Sequence, residues 1–403
     1  MKILLVNRIC GYFGGVEQYV ADVTKGLRQK GHEVFLAFGE ISEKNAEKYS
    51  ELFCESFQTA EMAKEPNDKA SAFAEIFSKV KPEVIFAHKV ENIDFLLKYQ
   101  SEIPLVAMIH DHDLCCPRHH KYFFWNRQIC ELPFGWHCFF DLAFLERNNC
   151  SRLKYSFKNI FFAFSEMKKY RQINTILVGS RAMQKEMLQN GFADERVLIQ
   201  PPVINLPARD YTPPPDRPEI LYAGQLIKGK GVDLLIDALG MVKNDFHLKV
   251  IGEGNAAPEL RSMAKEKGLD NRIEFCGWID REKLTDYYRN CRFTVVPSRW
   301  AEPFGMVGLE AMSFGRACIG FRVGGIPDWL EDGVTGFLVE PQNCRQMAEK
   351  IDILLSSHEK ATTLGSNGLE NFLKNFDFLQ SIETLEKVFS DRIQCKGNKK
   401  RMQ

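Results

Sequence analysis

The sequence lacks both an excess of charge and a long hydrophobic run. Its 403 residues include 53 lysines and arginines and 53 aspartates and glutamates, so the zero formal net charge gives no electrostatic case for a nucleic-acid partner. Nowhere do about 18 apolar residues follow one another, as a transmembrane helix requires. The apolar run before Arg8 is too short for the core of a signal peptide. We therefore expect a cytoplasmic protein.

The twelve cysteines lack the spacing of a disulfide framework or of a standard metal module. No C-x-x-C pair occurs, and several cysteines lie in apolar segments, which is typical of reduced thiols in a reducing compartment. The candidate zinc ligands are Cys116, Cys130, Cys138 and a neighbouring histidine, but their spacings match no structural zinc module. We therefore expect no metal site.

What the chain does contain is a series of α/β units in two groups. Residues 2–7 form an apolar run typical of a buried parallel strand, and a glycine-rich turn and a helix from Val16 follow. This opening lacks the G-x-G-x-x-G sequence of dinucleotide sites, so no dinucleotide cofactor is expected. A second group of units starts at residue 219. Residues 201–218, between the groups, hold seven prolines, a density that neither a helix nor a sheet tolerates.

This order predicts an α/β protein with two Rossmann-like domains that face each other across a cleft. The first domain covers residues 1–200 and the second residues 219–375, with a proline-rich linker at 201–218. An amphipathic helix is predicted over residues 376–393, and residues 394–403 are expected to be a flexible basic tail.

Two glutamates separated by seven residues, Glu302 and Glu310, lie in the stretch with the strongest functional pattern, residues 297–342. An apolar strand ends at Pro297 and helical spacing begins at Met306, so Glu302 lies at the carboxyl end of a strand, where open α/β sheets bind ligands. The first-turn amides of the new helix would also bind ligand oxygens. They belong to Phe304, Gly305, Met306 and Val307. The alternative is that Glu302 stabilises the helix dipole and Glu310 is an ordinary surface residue.

Three further positions are candidates for binding or chemistry. Lys230 directly precedes a helix, so a phosphate could meet both its ammonium and the helix amides. Gly14 and Gly15 would let the backbone approach a phosphate or a sugar closely, with a plain turn as the alternative. His110 lies at the carboxyl end of a strand, where an imidazole can hydrogen-bond a substrate hydroxyl or phosphate, with a structural role as the alternative.

Over nearly its whole length, the chain resembles the retaining GT-B glycosyltransferases of family 4, which carry the glycosyl transferases group 1 domain. The residues that match include Gly14, Gly15, His110, Asp111, Gly224, Lys230, Gly231, Gly252, Glu253, Gly254, Pro297, Ser298, Glu302, Pro303, Phe304, Gly305, Glu310, Ala311, Met312, Gly324 and Gly325. The two glutamates with their flanks are the most specific part of this pattern. One position departs from it, because Gln225 stands where many members have an arginine that binds phosphate.

The resemblance implies transfer of a sugar from a nucleoside-diphosphate sugar, with retention at the anomeric carbon and with no obligatory metal or other cofactor. Glu310 would hold the ribose hydroxyls, and Lys230 would neutralise the departing diphosphate with help from the loop of Gly14 and Gly15. His110 would contact the sugar near the reacting carbon. Glu302, with Lys230 and His110 one of the expected catalytic residues, would hold the donor sugar together with the amides of Phe304, Gly305, Met306 and Val307. Gln225 and Gly254 would be further donor-site residues. The helix at 376–393 would cross back to the first domain.

Residues 118–171 indicate contact with an anionic membrane surface. They contain ten lysines and arginines, four acidic residues and many aromatic residues, a mixture typical of contact with anionic lipid. We expect a saccharide or lipid-linked acceptor, as in polysaccharide or lipopolysaccharide biosynthesis, and a peripheral position at the inner face of the cytoplasmic membrane. The alternatives are that the aromatics are core residues, and that the protein is a sugar-nucleotide epimerase or hydrolase, or a non-catalytic sugar-nucleotide-binding subunit.

Overall fold

The computed structural model describes residues 1–12, 14–42, 45–63, 71–125, 128–147, 155–157, 159–206 and 211–401. The chain forms two compact α/β units. One consists of Met1–Asn205 together with Phe378–Gln403, and the other consists of Leu206–Asp377. Within the described ranges, no helix combines the length and the apolar content that crossing a membrane requires.

The described part of the first unit contains nine strands. They are β1 (Lys2–Cys10), β2 (Glu33–Ile41), β3 (Ser56–Gln58), β4 (Val84–Ala87), β5 (Leu105–Ile109), β6 (Leu145–Arg147), β7 (Tyr155–Phe157), β8 (Thr175–Val178) and β9 (Val197–Ile199). Seven of them form a parallel sheet in the order β3-β2-β1-β4-β5-β8-β9, while β6 and β7 form an antiparallel pair. The central strands are continuous apolar runs because both faces of a parallel α/β sheet are covered.

Helices connect these strands. They are α1 (Gly15–Gln29), α2 (Ala46–Ser50), α3 (Phe73–Val80), α4 (Asp94–Leu97), α5 (His137–Phe140), α6 (Ile160–Tyr170) and α7 (Arg181–Gln189). Helix α1 buries the face that carries Tyr19 and Leu27 and ends just before Gly31, whose φ is +84°. Helix α7 begins after Ser180, whose hydroxyl accepts a hydrogen bond from the first-turn amide of Met183.

The second unit contains a six-stranded parallel sheet in the order β12-β11-β10-β13-β14-β15. Its strands are β10 (Glu219–Ala223), β11 (His247–Ile251), β12 (Ile273–Gly277), β13 (Phe293–Val296), β14 (Ala317–Phe321) and β15 (Gly336–Val339). Its helices are α8 (Val232–Leu239), α9 (Ala257–Glu266), α10 (Arg281–Asn290), α11 (Met306–Ser313), α12 (Cys344–Ser356) and α13 (His358–Asn375). The two Rossmann-like sheets confirm the predicted GT-B fold class.

The last helix, α14 (Phe378–Arg401), belongs to the first unit, where its apolar face joins the buried cluster around β1 and α1. The sequence predicted a helix only to residue 393 and a flexible tail from 394, but the helix continues to Arg401. Specific anchoring explains the difference. The Lys396 ammonium donates hydrogen bonds to the backbone carbonyls of Gln100 and Ile103, the latter at 2.7 Å.

Each parallel sheet has a switch point, where the chain leaves one side of the first strand and continues on the other. In the first unit this point lies between β1 and β4, and in the second unit between β10 and β13. Ligands of open α/β sheets bind beyond the carboxyl ends of the strands at such a point. The loops after β10 and β13 are therefore the first place to look for a site in the second unit.

Candidate active site

A lysine and a glutamate meet at the switch point of the second unit. Lys230 lies in the loop after β10, and Glu302 lies in the loop after β13. The Lys230 ammonium donates hydrogen bonds to both carboxylate oxygens of Glu302, at 2.8 and 3.0 Å. Ser298 Oγ and Trp300 Nε1 donate to Glu302 Oε2 at 2.7 and 3.0 Å. The structure thus brings two sequence-predicted site residues into direct contact.

Glu302 is ionised at neutral pH although its side chain is only 9% exposed. Burial by itself raises the pKa of a carboxyl group, but the charge of Lys230 and the hydrogen bonds from Lys230, Ser298 and Trp300 outweigh it and hold the pKa of Glu302 below its usual value. A carboxylate with a lowered pKa is a poor proton donor at neutral pH. Three of the four hydrogen bonds reach Oε2 and one reaches Oε1, so Oε2 is saturated with donors while Oε1 keeps acceptor capacity.

Replacing Lys230 by methionine is expected to reverse the pH dependence that Glu302 gives to folding stability. In the wild-type protein the pKa of Glu302 is lowered, so its stabilisation is present above the unfolded-state pKa of about 4.3 and is lost as the pH falls through the folded-state pKa. Without Lys230, burial dominates and raises that pKa. The variant should therefore gain stability relative to wild type as the pH falls from neutral towards the unfolded-state pKa, which urea unfolding at several pH values measures.

The matched control is Lys267→Met, which removes a lysine 3.0 Å from Asp237 in a half-exposed ion pair of the same unit. Exposed pairs contribute little, so this variant should follow the wild-type pH dependence. If Lys230→Met followed the wild-type curve as well, the pairing of Lys230 with Glu302 would not control the ionisation of the carboxylate.

The start of α11 stands beside this pair. Its N-cap is Gly305 in the left-handed conformation, and the amides of Met306 and Val307 are in the first turn, where a helix provides no internal partner. The buried Trp329 side chain holds the residue before this cap, because its Nε1 donates a hydrogen bond to the Phe304 carbonyl at 2.6 Å. These amides therefore have a fixed direction, as the anion site of a helix N-terminus requires.

Glu310, one turn into α11, has partners of its own. The Tyr288 hydroxyl donates to Glu310 Oε2 at 3.0 Å, and an Arg281 guanidinium nitrogen lies 3.8 Å from Oε1. Burial and the nearby Glu310 charge raise the pKa of Tyr288 well above its usual value, so the phenol remains a donor. The Glu310 side chain keeps 13% of its surface exposed, and Tyr288 fixes its orientation.

The loops after β10 and β13 are packed directly on each other. Gly231 has a φ of +69°, and a Cβ at this position would lie 1.9 Å from the Pro297 carbonyl oxygen. The loop after β11 also packs on the loop after β10, because a Cβ on Gly254 would lie 2.2 Å from the Leu226 carbonyl oxygen. Gln225 in the same loop is exposed, and its carbonyl accepts a hydrogen bond from the Tyr222 hydroxyl at 3.0 Å. The predicted residues Gln225, Lys230, Gly254 and Glu302 therefore belong to one set of interlocked loops.

The other predicted residues belong to the first unit. Gly14 is the N-cap of α1 and Gly15 is its first residue, and among the described residues no atom lies within 4 Å of the place that a Cβ on Gly15 would take. His110 Nε2 and His88 Nδ1 are 2.9 Å apart. Burial lowers the pKa of His88 to about 3, and burial together with the charges of His88 and Lys89 lowers the pKa of His110 well below its usual value. Both imidazoles are therefore neutral at neutral pH.

Family models match both units of the chain. The model described as glycosyltransferase family 4 matches residues 13–207, and the model described as glycosyl transferases group 1 matches residues 208–371. The chain belongs to glycosyltransferase family 4. The family predicted from the sequence is thereby confirmed.

The family 4 chain is similar in sequence to curated proteins. It is 36% identical over 171 residues to an uncharacterised glycosyltransferase of Methanocaldococcus jannaschii, covering 42% of the chain and 47% of the relative. It is 31% identical over 155 residues to the alpha-D-kanosaminyltransferase of Streptomyces kanamyceticus, covering 38% and 40%. The matched stretches thus span less than half the length of these curated relatives.

The fold comparison covers nearly all of the family 4 chain. Anabaena HepE, solved in complex with UDP, has a TM-score of 0.72 and 21% identity, covering 97% of this chain and 100% of HepE. The lipopolysaccharide outer core galactosyltransferase WaaB has a TM-score of 0.70 and 17% identity, covering 97% and 100%. At these identities the likeness shows the GT-B fold alone.

Sequence reasoning missed several residues that contact the candidate site residues. Trp300 was not singled out, although a tryptophan two positions before Glu302 is a local signal. Its ring centre lies 5.0 Å from the Lys230 ammonium. Arg281 and Tyr288 were missed because they lie on α10, more than twenty residues before Glu310, and no local spacing connects them.

The cysteines of the first unit were the only metal candidate that the sequence offered. Cys138 Sγ lies 3.5 Å and Cys130 Sγ lies 4.0 Å from His137 Nε2, while Cys116 is buried elsewhere in its segment. Among the described residues, no group of three or more histidines, cysteines and acids could hold a metal ion. Cys150, in the same stretch of sequence, lies outside the described residues.

Proposed function

We propose that this family 4 protein transfers a sugar from a nucleoside-diphosphate sugar to a saccharide-containing acceptor, with retention of the anomeric configuration. One observation carries the proposal. A lysine held by a buried carboxylate stands beside the first-turn amides of α11 at the switch point of the sheet. One fixed cation and a group of directed amides suit a diphosphate and the hydroxyls of a sugar.

The hydrogen bonds between Lys230 and Glu302 suggest how the donor binds. A diphosphate attracts the Lys230 ammonium, and when the ammonium turns towards the phosphate oxygens it releases the two hydrogen bonds at 2.8 and 3.0 Å. The released positions on Glu302 then accept hydroxyls of the donor sugar. Binding of the diphosphate would in this way prepare the carboxylate for the sugar.

The same lysine would assist the chemical step. As the bond to the sugar breaks, negative charge grows on the leaving diphosphate, so a fixed cation stabilises the transition state more than the ground state. Gln225 can donate hydrogen bonds but carries no charge, so a larger share of this stabilisation falls on Lys230 and on the dipole of α11. His110, Gly14 and Gly15 are proposed to assist from the first unit, as the family resemblance implies.

The donor is proposed to be a UDP-sugar, with the ribose hydroxyls on Glu310. Support comes from the relative HepE, which has been solved with UDP-glucose at a TM-score of 0.70 and 21% identity. In this chain Tyr288 holds one oxygen of Glu310 and leaves the carboxylate partly exposed, as a hydroxyl-binding carboxylate needs to be.

The acceptor is proposed to be a polysaccharide or a lipid-linked saccharide at the inner face of the cytoplasmic membrane. The basic and aromatic character of residues 118–171 supports this proposal. The free state of the described cysteines agrees with a reducing compartment. The fold relative WaaB is a lipopolysaccharide outer core galactosyltransferase, and lipopolysaccharide is one acceptor of this class.

A thermal-shift screen of UDP-, GDP-, ADP- and TDP-sugars tests donor binding. A donor at about 100 times its dissociation constant should add roughly 2.7 kcal/mol to the unfolding free energy, whereas uridine, which has no phosphate for Lys230, should add much less. The UDP-sugars are expected to give the largest shift. Equal shifts with uridine and the UDP-sugar would contradict a diphosphate site at Lys230.

Transfer itself is tested with the donor that the screen selects and a panel of saccharide and lipid-linked acceptors. NMR of the product should show the anomeric configuration of the donor. Turnover without any acceptor would instead favour an epimerase or hydrolase. Tight donor binding without turnover over the whole panel would favour a non-catalytic binding subunit.

A further inference from the structure

Four aromatic side chains of the first unit point into solvent in one place. We call this set the aromatic surface: its members are Trp136, Phe140, Phe157 and Phe161, with exposed fractions of 77%, 82%, 81% and 69%. Two half-buried phenylalanines connect three of them. The rings of Trp136 and Phe161 each lie 5.7 Å from Phe139, Phe157 lies 6.2 Å from Phe144, and Phe139 and Phe144 are 6.4 Å apart. Trp136, Phe157 and Phe161 therefore form a continuous surface, and Phe140 directly follows Phe139 in the sequence.

The size of the aromatic surface sets it apart from ordinary exposed apolar residues. An aromatic side chain offers about 150–250 Å², so four that are more than two thirds exposed present several hundred Å² together. The largest apolar patch on a typical monomer is about 300–600 Å² and is often functional. The aromatic surface therefore reaches the range in which a binding partner is expected.

The sequence that contains Phe157 and Phe161 indicates the kind of partner. Residues 147–171 contain seven lysines and arginines and the single acid Glu166. Of the seven, the side chains of Lys168, Lys169 and Arg171 belong to the part of the chain that the structure describes. The single acid is already neutralised, because the Lys169 ammonium lies 2.7 Å from Glu166 and 2.5 Å from Asp94. Lys168, also on α6, is exposed, and its ammonium lies 4.7 Å from the Phe164 ring. The partner should therefore offer negative charge next to an apolar layer.

We propose that the aromatic surface inserts into the interfacial region of a membrane that contains anionic phospholipid. Aromatic rings gain most at the level of the head groups, where their apolar faces leave water, and nearby lysines and arginines are attracted by the anionic surface. The inference deepens the proposed function, because it rests on an acceptor located at the membrane. It names the residues that make the contact.

Co-sedimentation with vesicles tests this surface without any need for turnover. The wild-type protein should bind vesicles of phosphatidylcholine mixed with phosphatidylglycerol, and bind less to phosphatidylcholine alone. Its binding should weaken as salt rises, because the Debye length falls from about 10 Å at 0.1 M to about 3 Å at 1 M. The triple variant Trp136→Ser, Phe140→Ser, Phe161→Ser should partition to the mixed vesicles at least about tenfold less.

Trp278→Ser is the matched control, because Trp278 is 63% exposed but lies in the second unit. This variant should bind the mixed vesicles as the wild type does. All replaced side chains are exposed, so the variants should keep the wild-type thermal midpoint, which verifies that they fold. Tryptophan emission quenched by brominated lipid in the wild type, and less so in Trp136→Phe, would show insertion directly.

Two results would overturn the inference. One is wild-type vesicle binding by the triple variant, and the other is no binding of the wild type to anionic vesicles. Binding of a soluble saccharide that the triple variant loses, with vesicle binding unchanged, would assign the surface to saccharide instead. The donor-induced thermal shift, measured on the same preparations, separates this failure from a failure of the proposed function, because it requires no membrane.

Discussion

Replacing Lys230 by methionine is expected to lower kcat/KM for sugar transfer by roughly a hundredfold or more, the usual effect of removing one preorganised contact to a developing charge. The main loss should appear in kcat, because the lysine is needed most when the diphosphate departs. The variant also leaves the buried Glu302 carboxylate without its cation, so the donor sugar meets a carboxylate whose pKa has risen. Steady-state kinetics with the selected donor measures both parameters.

Two further variants separate the roles of the pair. Glu302→Gln keeps the shape of the side chain but releases the lysine, so it should raise KM for the donor more than it lowers kcat. Lys267→Met, which removes the half-exposed pair with Asp237, should keep wild-type kinetics. Wild-type turnover in both Lys230→Met and Glu302→Gln would reject the assignment of the active site to these loops.

Replacing Gly231 by alanine is expected to remove about 2–5 kcal/mol of unfolding free energy. Its φ of +69° disfavours any residue with a Cβ by about 1–2 kcal/mol, and the new Cβ would lie 1.9 Å from the Pro297 carbonyl oxygen, which adds roughly 1–3 kcal/mol of overpacking. The displaced Pro297 begins the loop that carries Glu302, so the donor-induced thermal shift should also shrink. Urea unfolding and the thermal shift measure the two effects.

Gly268→Ala provides a matched control within the same unit. Gly268 has nearly the same backbone conformation, with φ at +68°, but no described atom lies within 4 Å of its Cβ position. The unfolding free energy of Gly268→Ala should fall by only about 1–2 kcal/mol, which is the cost of placing a Cβ residue in the left-handed backbone conformation. This variant should bind the donor as the wild type does. Equal losses in the two variants would show that contact with the Pro297 carbonyl is not what requires glycine at position 231.

The order of strands and helices could be predicted because apolar runs, proline and glycine act locally. Strand β10 begins at Glu219, as predicted, directly after the proline-rich stretch. Helix α11 begins at Met306, also as predicted, because its cap is a glycine next to an apolar periodic run. The candidate residues after β10 and β13 could be found for the same reason, since strand ends are local features that parallel pairing brings to one edge.

Features that depend on distant contacts could not be predicted. Helix α14 extends beyond residue 393 because Lys396 binds the carbonyls of Gln100 and Ile103, far away in sequence. The aromatic residues of 118–171 divide into buried and exposed ones, such as Phe134 at 9% and Trp136 at 77% exposure. No periodicity reveals this division, because α5 has only four residues.

The chain passes from the first unit to the second and returns only for α14, so the two units differ in how they can be separated. The second unit is one uninterrupted segment, Leu206–Asp377, inserted between β9 and α14. Within the first unit the two flanks of this insertion meet, because Gln200 Nε2 donates to the Ser381 carbonyl at 3.3 Å. A short linker could therefore replace the insertion, and residues 206–377 could be produced as a separate fragment that carries Lys230 and Glu302. A stop codon directly after residue 377 would spare that fragment and remove the final helix from the other unit.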